Sequence, residues 1–272
     1  MDREKGDKKD FAKEFEKVFL QLTQRYSRWD VWNDFLFMAA TALARAVPSE
    51  KREEREKQYL ERIGKYGKSE QELFPQLLAF TVMALEEQPE QDFLGSMYHR
   101  LELHQKQKGQ FFTPYHISEF MAEIQFPDKN AGMDQEMEKK GYISVADSCC
   151  GAGAMLIAFA NVARRHGLDY QHDVLFYAQD IDRTAALMCY IQLSLLGCPA
   201  VVVIGDSLLK PGLHPDNDVW YTLFYYLNWW KFQDPGDSSP ELVVEKRIKE
   251  QVTVVLSEDT DGQMSLFLDG AA

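Results

Sequence analysis

The sequence predicts an α/β fold in which a mostly parallel sheet follows a helical N-terminal region. Three short, largely apolar runs, at residues 143–147, 176–182 and 200–204, have the length and composition of buried strands. Stretches with helical periodicity separate these runs, and an aspartate ends or closely follows each one. Alternating strands and helices of this kind are typical of one half of a doubly wound sheet.

The first strand leads into a glycine turn, and residues 142–157 read YISVADSCCGAGAMLI. Asp147 stands at the carboxyl end of the strand, where open α/β sheets bind ligands. Gly151 and Gly153 permit a tight turn and a close approach of a ligand to the backbone. The amides that open the following helix, from Ala154, then face that ligand.

The next two strands strengthen this interpretation, because a glycine turn alone is weak evidence. Residues 176–182 read FYAQDID, and an acid about 30 positions after the first strand can accept hydrogen bonds from ribose hydroxyls. The third strand ends in Gly205, Asp206 and Ser207. The three strands together predict a site for a nucleoside ligand.

These segments resemble the adenine-specific DNA methyltransferase family, and most of all the modification subunits of type I restriction systems. DSCCGAGAML resembles the D-P-x-x-G-S-G motif of that family, while AQDID and GDSL resemble its second and third motifs. GQFFTP, at residues 109–114, resembles the G-x-F-Y-T-P segment that precedes the first motif. The matches keep the order and spacing of the family over roughly residues 90–210. The resemblance implies a class I methyltransferase (Rossmann-like) sheet with an N-terminal helical domain.

The resemblance also implies S-adenosylmethionine as cofactor and assigns residues to it. Phe111 or Phe112 would lie against the cofactor and Thr113 would bind its methionine part, although both phenylalanines also suit the core of a helix entry. Thr113 is also expected to cap the helix that begins near Tyr115. The full set of expected cofactor-binding residues is Phe111, Phe112, Thr113, Pro114, Asp147, Gly151, Gly153, Asp180, Ile181, Asp206 and Ser207. Within it, Asp147 and the two glycines shape the methionine end, Asp180 binds the ribose and Asp206 the adenine amine. No metal is expected.

Catalytic activity does not follow from the resemblance alone, because the family motif that holds the target base is missing. The family carries Asn-Pro-Pro-aromatic after the third motif, and this chain contains no Pro-Pro. Asn228, Trp229 and Trp230 fall too late, so the aromatic run from Trp220 to Trp230 is interpreted as a core strand or a protein-contact patch. Three hypotheses stay open: a DNA adenine methyltransferase, an inactive family member with an accessory role, or a methyltransferase for another substrate.

Two smaller departures affect the first motif itself. Ser148, Cys149 and Ala152 replace the proline, a small residue and the serine of the family pattern, and these changes keep the turn small. Cys149 and Cys150 could in principle be nucleophiles, but no histidine lies nearby in the sequence to activate them.

Composition and charge restrict the class of protein. The chain has 272 residues, 45% hydrophobic and 27% charged, which suits one α/β domain with a smaller appendage. No apolar run spans a bilayer, and the charged N-terminus lacks a signal-peptide core. Four cysteines without a CxxC pair suggest free thiols in the cytoplasm. A net charge of −13 disfavours a general affinity for DNA, so any DNA contact is expected to be narrow or helped by a partner.

The predicted organisation has three parts: a helical region at residues 1–108, a methyltransferase-like domain at 109–256 and an acidic tail at 257–272. Helices are expected near residues 11–22, 29–47 and 70–87, the last interrupted near Pro75, and again at 154–165 and 184–196. The charge run at residues 49–58 predicts a solvated helix face, and residues 125–141 predict an exposed insertion. Residues 242–256 predict a helix and then a strand from Val252 to Leu256.

The tail contains QMSLF, which is similar to the Q-L-S/D-L-F peptide that docks bacterial DNA-processing proteins on the replicative sliding clamp. Leu266 and Phe267 would enter an apolar pocket, with Met264 as a further anchor and Gln263 at the rim. The alternative is a C-terminal strand that packs on the protein's own core. The expected partners are therefore DNA and a protein that supplies target recognition, with the sliding clamp as a third partner if the peptide docks there.

Overall fold

The computed structural model describes residues 10–103, 112–126, 131–228 and 232. A mixed four-stranded sheet with the order β1-β2-β3-β4 lies in the second half of this region. The first three strands are parallel, and the fourth is antiparallel to the third. The strands are β1 (Ile143–Asp147), β2 (Val174–Asp180), β3 (Ala200–Ile204) and β4 (Asp218–Tyr221). The predicted α/β class and its three parallel strands are confirmed.

Helices make up most of the remaining described chain. In order they are α1 (Phe11–Leu22), α2 (Arg28–Ala44), α3 (Arg52–Ile63), α4 (Lys68–Gln71), α5 (Leu73–Glu87), α6 (Phe93–Arg100), α7 (Tyr115–Ile124), α8 (Ala131–Lys140), α9 (Ala154–Arg165), α10 (Tyr170–Asp173), α11 (Arg183–Leu195) and α12 (Leu223–Asn228). Within the described ranges, no helix has the length and apolarity that crossing a membrane requires.

Two helices cover the same face of the sheet. Phe159 of α9 contacts Phe176 of β2, and Tyr190 of α11 contacts Trp220 of β4. The strand register places Phe176 and Trp220 in side-chain rows that point to this face. Phe176, Ala178, Val202 and Trp220 are fully buried there, because the crossovers from β1 to β2 and from β2 to β3 both return on this side.

The N-terminal helices have an aromatic core that is continuous with the core of the sheet. Phe15 contacts Trp32, Phe35 and Phe93 edge-on, at ring-centroid distances of 5.5–6.1 Å. Helix α2 then packs on α11, so its buried residues reach the helical layer of the sheet. The helix predicted near residues 11–22 is confirmed, and its apolar residues Phe15, Val18, Phe19 and Leu22 are all buried.

One local prediction is wrong, and two hold only in part. The charge run at residues 49–58 is mostly exposed, as expected, but Arg55 is buried because it contacts β4. The expected insertion at residues 125–141 contains α8, which packs beside β1. Thr113 does not cap α7: the capping position is Pro114, which has no side-chain donor or acceptor. The helix over residues 70–87 is interrupted as expected, at Glu72 between α4 and α5.

Candidate cofactor site

The glycine turn after β1 has a backbone that favours glycine at two positions. Gly151 has φ 55° and Gly153 has φ 94°, both in the left-handed region. A Cβ on Gly153 would lie 2.8 Å from the Sγ of Cys189 in α11, which is closer than real contacts allow. A Cβ on Gly151 would lie 3.0 Å from the ring of Phe112. The turn therefore fits tightly between α11 and the segment that precedes α7.

Asp180 connects the end of β2 to this turn. Its Oδ2 accepts a hydrogen bond from the amide of Gly151 at 2.9 Å, and its Oδ1 accepts one from the amide of Asp182 at 2.8 Å. Burial raises the pKa of Asp180, and the nearby charges of Asp182 and Asp147 raise it further. Each carboxylate oxygen keeps a second acceptor position, so Asp180 can still accept a bond from a ligand hydroxyl.

A cavity of about 160 Å³ lies between the turn, β2 and the start of α7. Five predicted residues line it: Phe112, Thr113, Asp147, Gly151 and Asp180. Six lining residues were not predicted: Cys149, Cys150, Ala152, Ala154, Met155 and Ala185. None of the lining residues that the structure describes is basic. This wall of two carboxylates and small apolar groups would attract a cation and repel a phosphate.

The other predicted residues lie near the cavity or outside the described part of the chain. Pro114, Gly153, Ile181, Asp206 and Ser207 are not among its lining residues. Ile181 is 70% exposed directly after β2, where an apolar surface could pack on a ligand. Phe111 falls outside the described residues.

Phe112 satisfies both interpretations of the GQFFTP segment. Its ring contacts Tyr98 and His99 of α6, each at a centroid distance of 5.4 Å, so it is part of a packed cluster. The same ring forms one wall of the cavity beside Gly151. The structure therefore brings the segment to the turn, as its spacing predicted.

The loop after β3 is fixed by two amide side chains that sequence reasoning missed. Gln179 donates to the carbonyls of Gly205 and Lys210 and accepts from the amide of Gly212. Asn217 donates to the carbonyls of Lys210 and Gly212. The sequence signal for Gln179 was a polar glutamine inside an otherwise apolar strand. No local pattern marks Asn217.

Asp206 lies within this loop, and its carboxylate already has local partners. It accepts from the amides of Leu208 and Leu209, at 2.9 and 3.1 Å. The amide of Gly205 donates to the carbonyl of Asp180 at 3.0 Å, so the end of β3 is adjacent to the end of β2. Asp206 is thus beside the cavity and holds the turn that follows it.

The cysteines of the first motif do not form an activated nucleophile. A hydrogen bond with Cys189, together with burial, raises the pKa of the Cys150 thiol well above its usual range. Cys149 is exposed at the cavity, and all four cysteines are free thiols. Within the described ranges, no group of three or more His, Cys, Asp or Glu side chains could hold a metal ion.

The aromatic run lies far from the cavity in its described part. Trp220 is fully buried in β4, with the guanidinium of Arg55 3.6 Å from its ring centre. Asn228 donates to the carbonyls of Gln171 and Phe224, and Gln171 precedes the amino end of β2. Since the cavity is at the carboxyl ends of the strands, Asn228 does not reach it. The core-strand interpretation holds for Trp220, and Trp229 and Trp230 lie outside the described residues.

Comparison with known proteins agrees with the placement of these motifs. The profile of the N-6 DNA methylase family matches residues 90–252, which contain the glycine turn, all four strands and the segment around Phe112. A search of curated proteins gave no match. The matched region covers more than half of the 272 residues. The chain therefore belongs to the N-6 DNA methylase family.

Proposed function

We propose that this protein binds S-adenosylmethionine at the carboxyl ends of β1 and β2 and acts on DNA as a methyltransferase-like protein. Members of the N-6 DNA methylase family generally use this cofactor and act on DNA. The observation that carries the proposal is the acidic cavity beside the glycine turn, with Asp147 and Asp180 in its wall and no basic residue among its described lining. The sheet is, on this proposal, the Rossmann-like half of a class I methyltransferase.

The chemistry of the cavity favours this cofactor over a phosphate-containing one. S-adenosylmethionine carries a sulfonium and an ammonium group, and both are cations that carboxylates stabilise. Dinucleotides and ATP carry phosphates, which are usually bound by arginine, lysine or a series of backbone amides. The amides at the start of α9 are suited to the one carboxylate of the cofactor.

The predicted roles of the residues fit this orientation. Asp147 and the turn at Gly151 would lie at the methionine end, with Thr113 on the opposite wall. Asp180 would accept from the ribose hydroxyls, and Ile181 would pack against the nucleoside beside it. Asp206, with Ser207 next to it, would receive the adenine amine at the end of β3.

When bound, the cofactor supplies the reactive methyl group, and the protein has to position an acceptor amine in line with it. None of the described residues supplies the Asn-Pro-Pro-aromatic segment that holds an extruded adenine in this family. Trp220 is buried and Asn228 is bonded at the opposite end of the sheet. These contacts support the second candidate function, an inactive family member with an accessory role in DNA processing or replication.

Calorimetry tests the cofactor proposal directly. We expect saturable binding of S-adenosylmethionine to the full chain, and no binding of NAD⁺ under the same conditions. The same affinity for both ligands, or heat with NAD⁺ alone, would show that the acidic cavity does not select a cationic cofactor.

A transfer assay separates the two candidate functions. With tritiated S-adenosylmethionine and unmethylated plasmid, we expect no incorporation above that of Asp147→Ala. Incorporation that is present in the wild type and lost in Asp147→Ala would establish the active methyltransferase and remove the accessory role.

The partners beyond DNA are also proposals. A net charge of −13 makes a broad DNA-binding surface unfavourable, so a partner that brings the protein to DNA, or supplies target recognition, is consistent with its charge. The clamp-like peptide from Gln263 to Phe267 lies outside the described residues. A peptide of residues 260–270 should bind purified sliding clamp, and its variant with Leu266→Ala and Phe267→Ala should not. Equal signals from the two peptides would reject this partner.

A further inference from the structure

Helix α7 exposes its most apolar side. Ile117, Phe120, Met121 and Ile124, called here the α7 stripe, follow the i, i+3, i+4, i+7 spacing of a buried helix face. All four are exposed, and Phe120 reaches 64%. The opposite side of α7, which packs on α9, buries only small residues, Ser118 and Ala122. An amphipathic helix in this orientation normally has a further layer over its apolar side.

The outer edge of β1 is open next to this stripe. Strand β1 ends the sheet, and within the described ranges no strand pairs with its second edge. Ser144 and Ala146 are exposed, although the strand carries the turn of the candidate site. A groove of about 600 Å³ follows this edge, between β1 and α7, α8 and α9, and Met121, Met133 and Met155 help to line it. Open strand edges are usually paired or covered in stable proteins.

The chain returns to this edge at its last described residue. After α12, the ring of Phe232 contacts Tyr142 at 5.0 Å, and the hydroxyl of Tyr142 donates to the carbonyl of Phe232 at 3.4 Å. Tyr142 directly precedes β1, so the backbone at Phe232 is beside the amino end of the open strand. The chain continues from there for 40 residues.

We infer that residues 252–256, Val-Thr-Val-Val-Leu, pair with the open edge of β1 and cover the α7 stripe and the groove. The segment has five residues, as β1 has, and four of them are β-branched. It contains no charge, whereas Lys249, Glu250, Glu258 and Asp259 flank it. The 19 residues between Phe232 and Val252 are enough to connect them whether the segment pairs parallel or antiparallel to β1. The inference does not depend on the cofactor.

Hydrogen–deuterium exchange on the full chain tests this pairing. Val254→Pro removes a backbone donor from the middle of the segment, and Thr260→Pro, four residues beyond its end, is the matched control. In Val254→Pro we expect exchange in Ile143–Asp147 and in α7 to become about tenfold faster than in the control, with β3 unchanged. Unchanged exchange in β1 and α7 would overturn the inference. The inference would also be overturned if the wild-type protection of β1 and α7 from exchange disappeared on dilution of the protein. A second copy of the chain would then cover the edge.

Crosslinking provides a test that does not require a destabilising variant. A photoreactive benzoyl-phenylalanine in place of Phe120 leaves residues 252–256 intact and is placed on the exposed stripe. We expect an intramolecular crosslink to a peptide that contains residues 252–256, located by mass spectrometry. A crosslink between two copies, or none to this peptide, would contradict the inference, even if Val254→Pro unfolds the whole chain.

Discussion

The two outer strands of the sheet have opposite surroundings. At β4, Arg55 from the N-terminal helices stacks on Trp220 and donates to Asp218 and to the carbonyl of Val219, at 2.9 and 2.8 Å. At β1, the described residues leave the outer edge open beside the apolar α7 stripe. One edge is thus covered by a segment about 160 positions away in the chain, and the other is available for a further segment.

The same contrast applies to two aspartates at strand ends. Burial alone would raise the pKa of Asp218, but the charge and hydrogen bond of Arg55 outweigh it, and the pKa is lowered. Among the described residues no cation plays this part at Asp180, and burial raises its pKa. The carboxylate of Asp218 is thus engaged in a structural ion pair, while that of Asp180 keeps acceptor positions for a ligand.

The largest effect is expected when the covered edge is broken. Arg55→Ala leaves Asp218 half-buried without its main partner and removes the guanidinium from Trp220, which should lower the free energy of unfolding by about 3–5 kcal/mol. Arg45→Ala is the control, because its ion pair with Glu56 is mostly exposed and should contribute less than about 1 kcal/mol. Urea denaturation measures both, and similar losses in the two variants would contradict the anchoring role of Arg55.

The turn at the other edge should be nearly as sensitive. Gly153→Ala combines a left-handed backbone with a Cβ 2.8 Å from Cys189, so we expect a loss of about 2–4 kcal/mol. Gly167→Ala has a similar φ of 84° and no atom within 4 Å of the new Cβ, so only about 1–2 kcal/mol should be lost. Urea midpoints that shift equally would show that the contact with Cys189 relaxes.

A smaller effect, on cofactor affinity, is expected when Asp180 is replaced. Asp180→Ala should weaken the binding of S-adenosylmethionine by about 1–3 kcal/mol, because ribose hydroxyls lose a charged acceptor. Asp182→Ala removes the carboxylate that caps α11, so it should reduce stability by about 1 kcal/mol and leave affinity unchanged. Calorimetry with both folded variants checks this. Unchanged affinity in Asp180→Ala would remove that residue from the site.

The smallest expected effect is the change in cofactor affinity with pH. Because the pKa of Asp180 is raised, acidification should protonate it at a higher pH than an ordinary aspartate and so weaken the binding of a cationic cofactor. We expect affinity to fall by no more than about tenfold from about pH 7 to about pH 5. Asp180→Asn should show weaker binding that varies less over this range. An equally steep pH dependence in the variant would assign it to another group.

Local patterns were sufficient for the elements that surround the candidate site. The predicted helix at residues 154–165 and the strands at 143–147 and 200–204 agree with the observed bounds of α9, β1 and β3. Apolar runs, glycines and strand-end aspartates are neighbours in sequence, so their spacing carries the geometry of the turn. Asp147, Gly151 and Asp180 could therefore be placed together before the fold was known.

Contacts between distant segments could not be predicted in this way. Arg55 is one charge in a run that looks solvated, and only the packing of α3 on β4 buries it. Asn217 is one polar residue in a loop, and its role follows from the carbonyls of Lys210 and Gly212 that the folded loop places around it.

The sequence by itself determined the α/β class, the glycine turn after β1 and the missing Asn-Pro-Pro segment, because each is a property of residues close together in the chain. Only the tertiary structure decided which sheet edge is covered and which carboxylate has a cation. It also decided that α7 turns its apolar side outwards. These features depend on which surfaces meet, and burial free energy is gained only when distant segments come into contact.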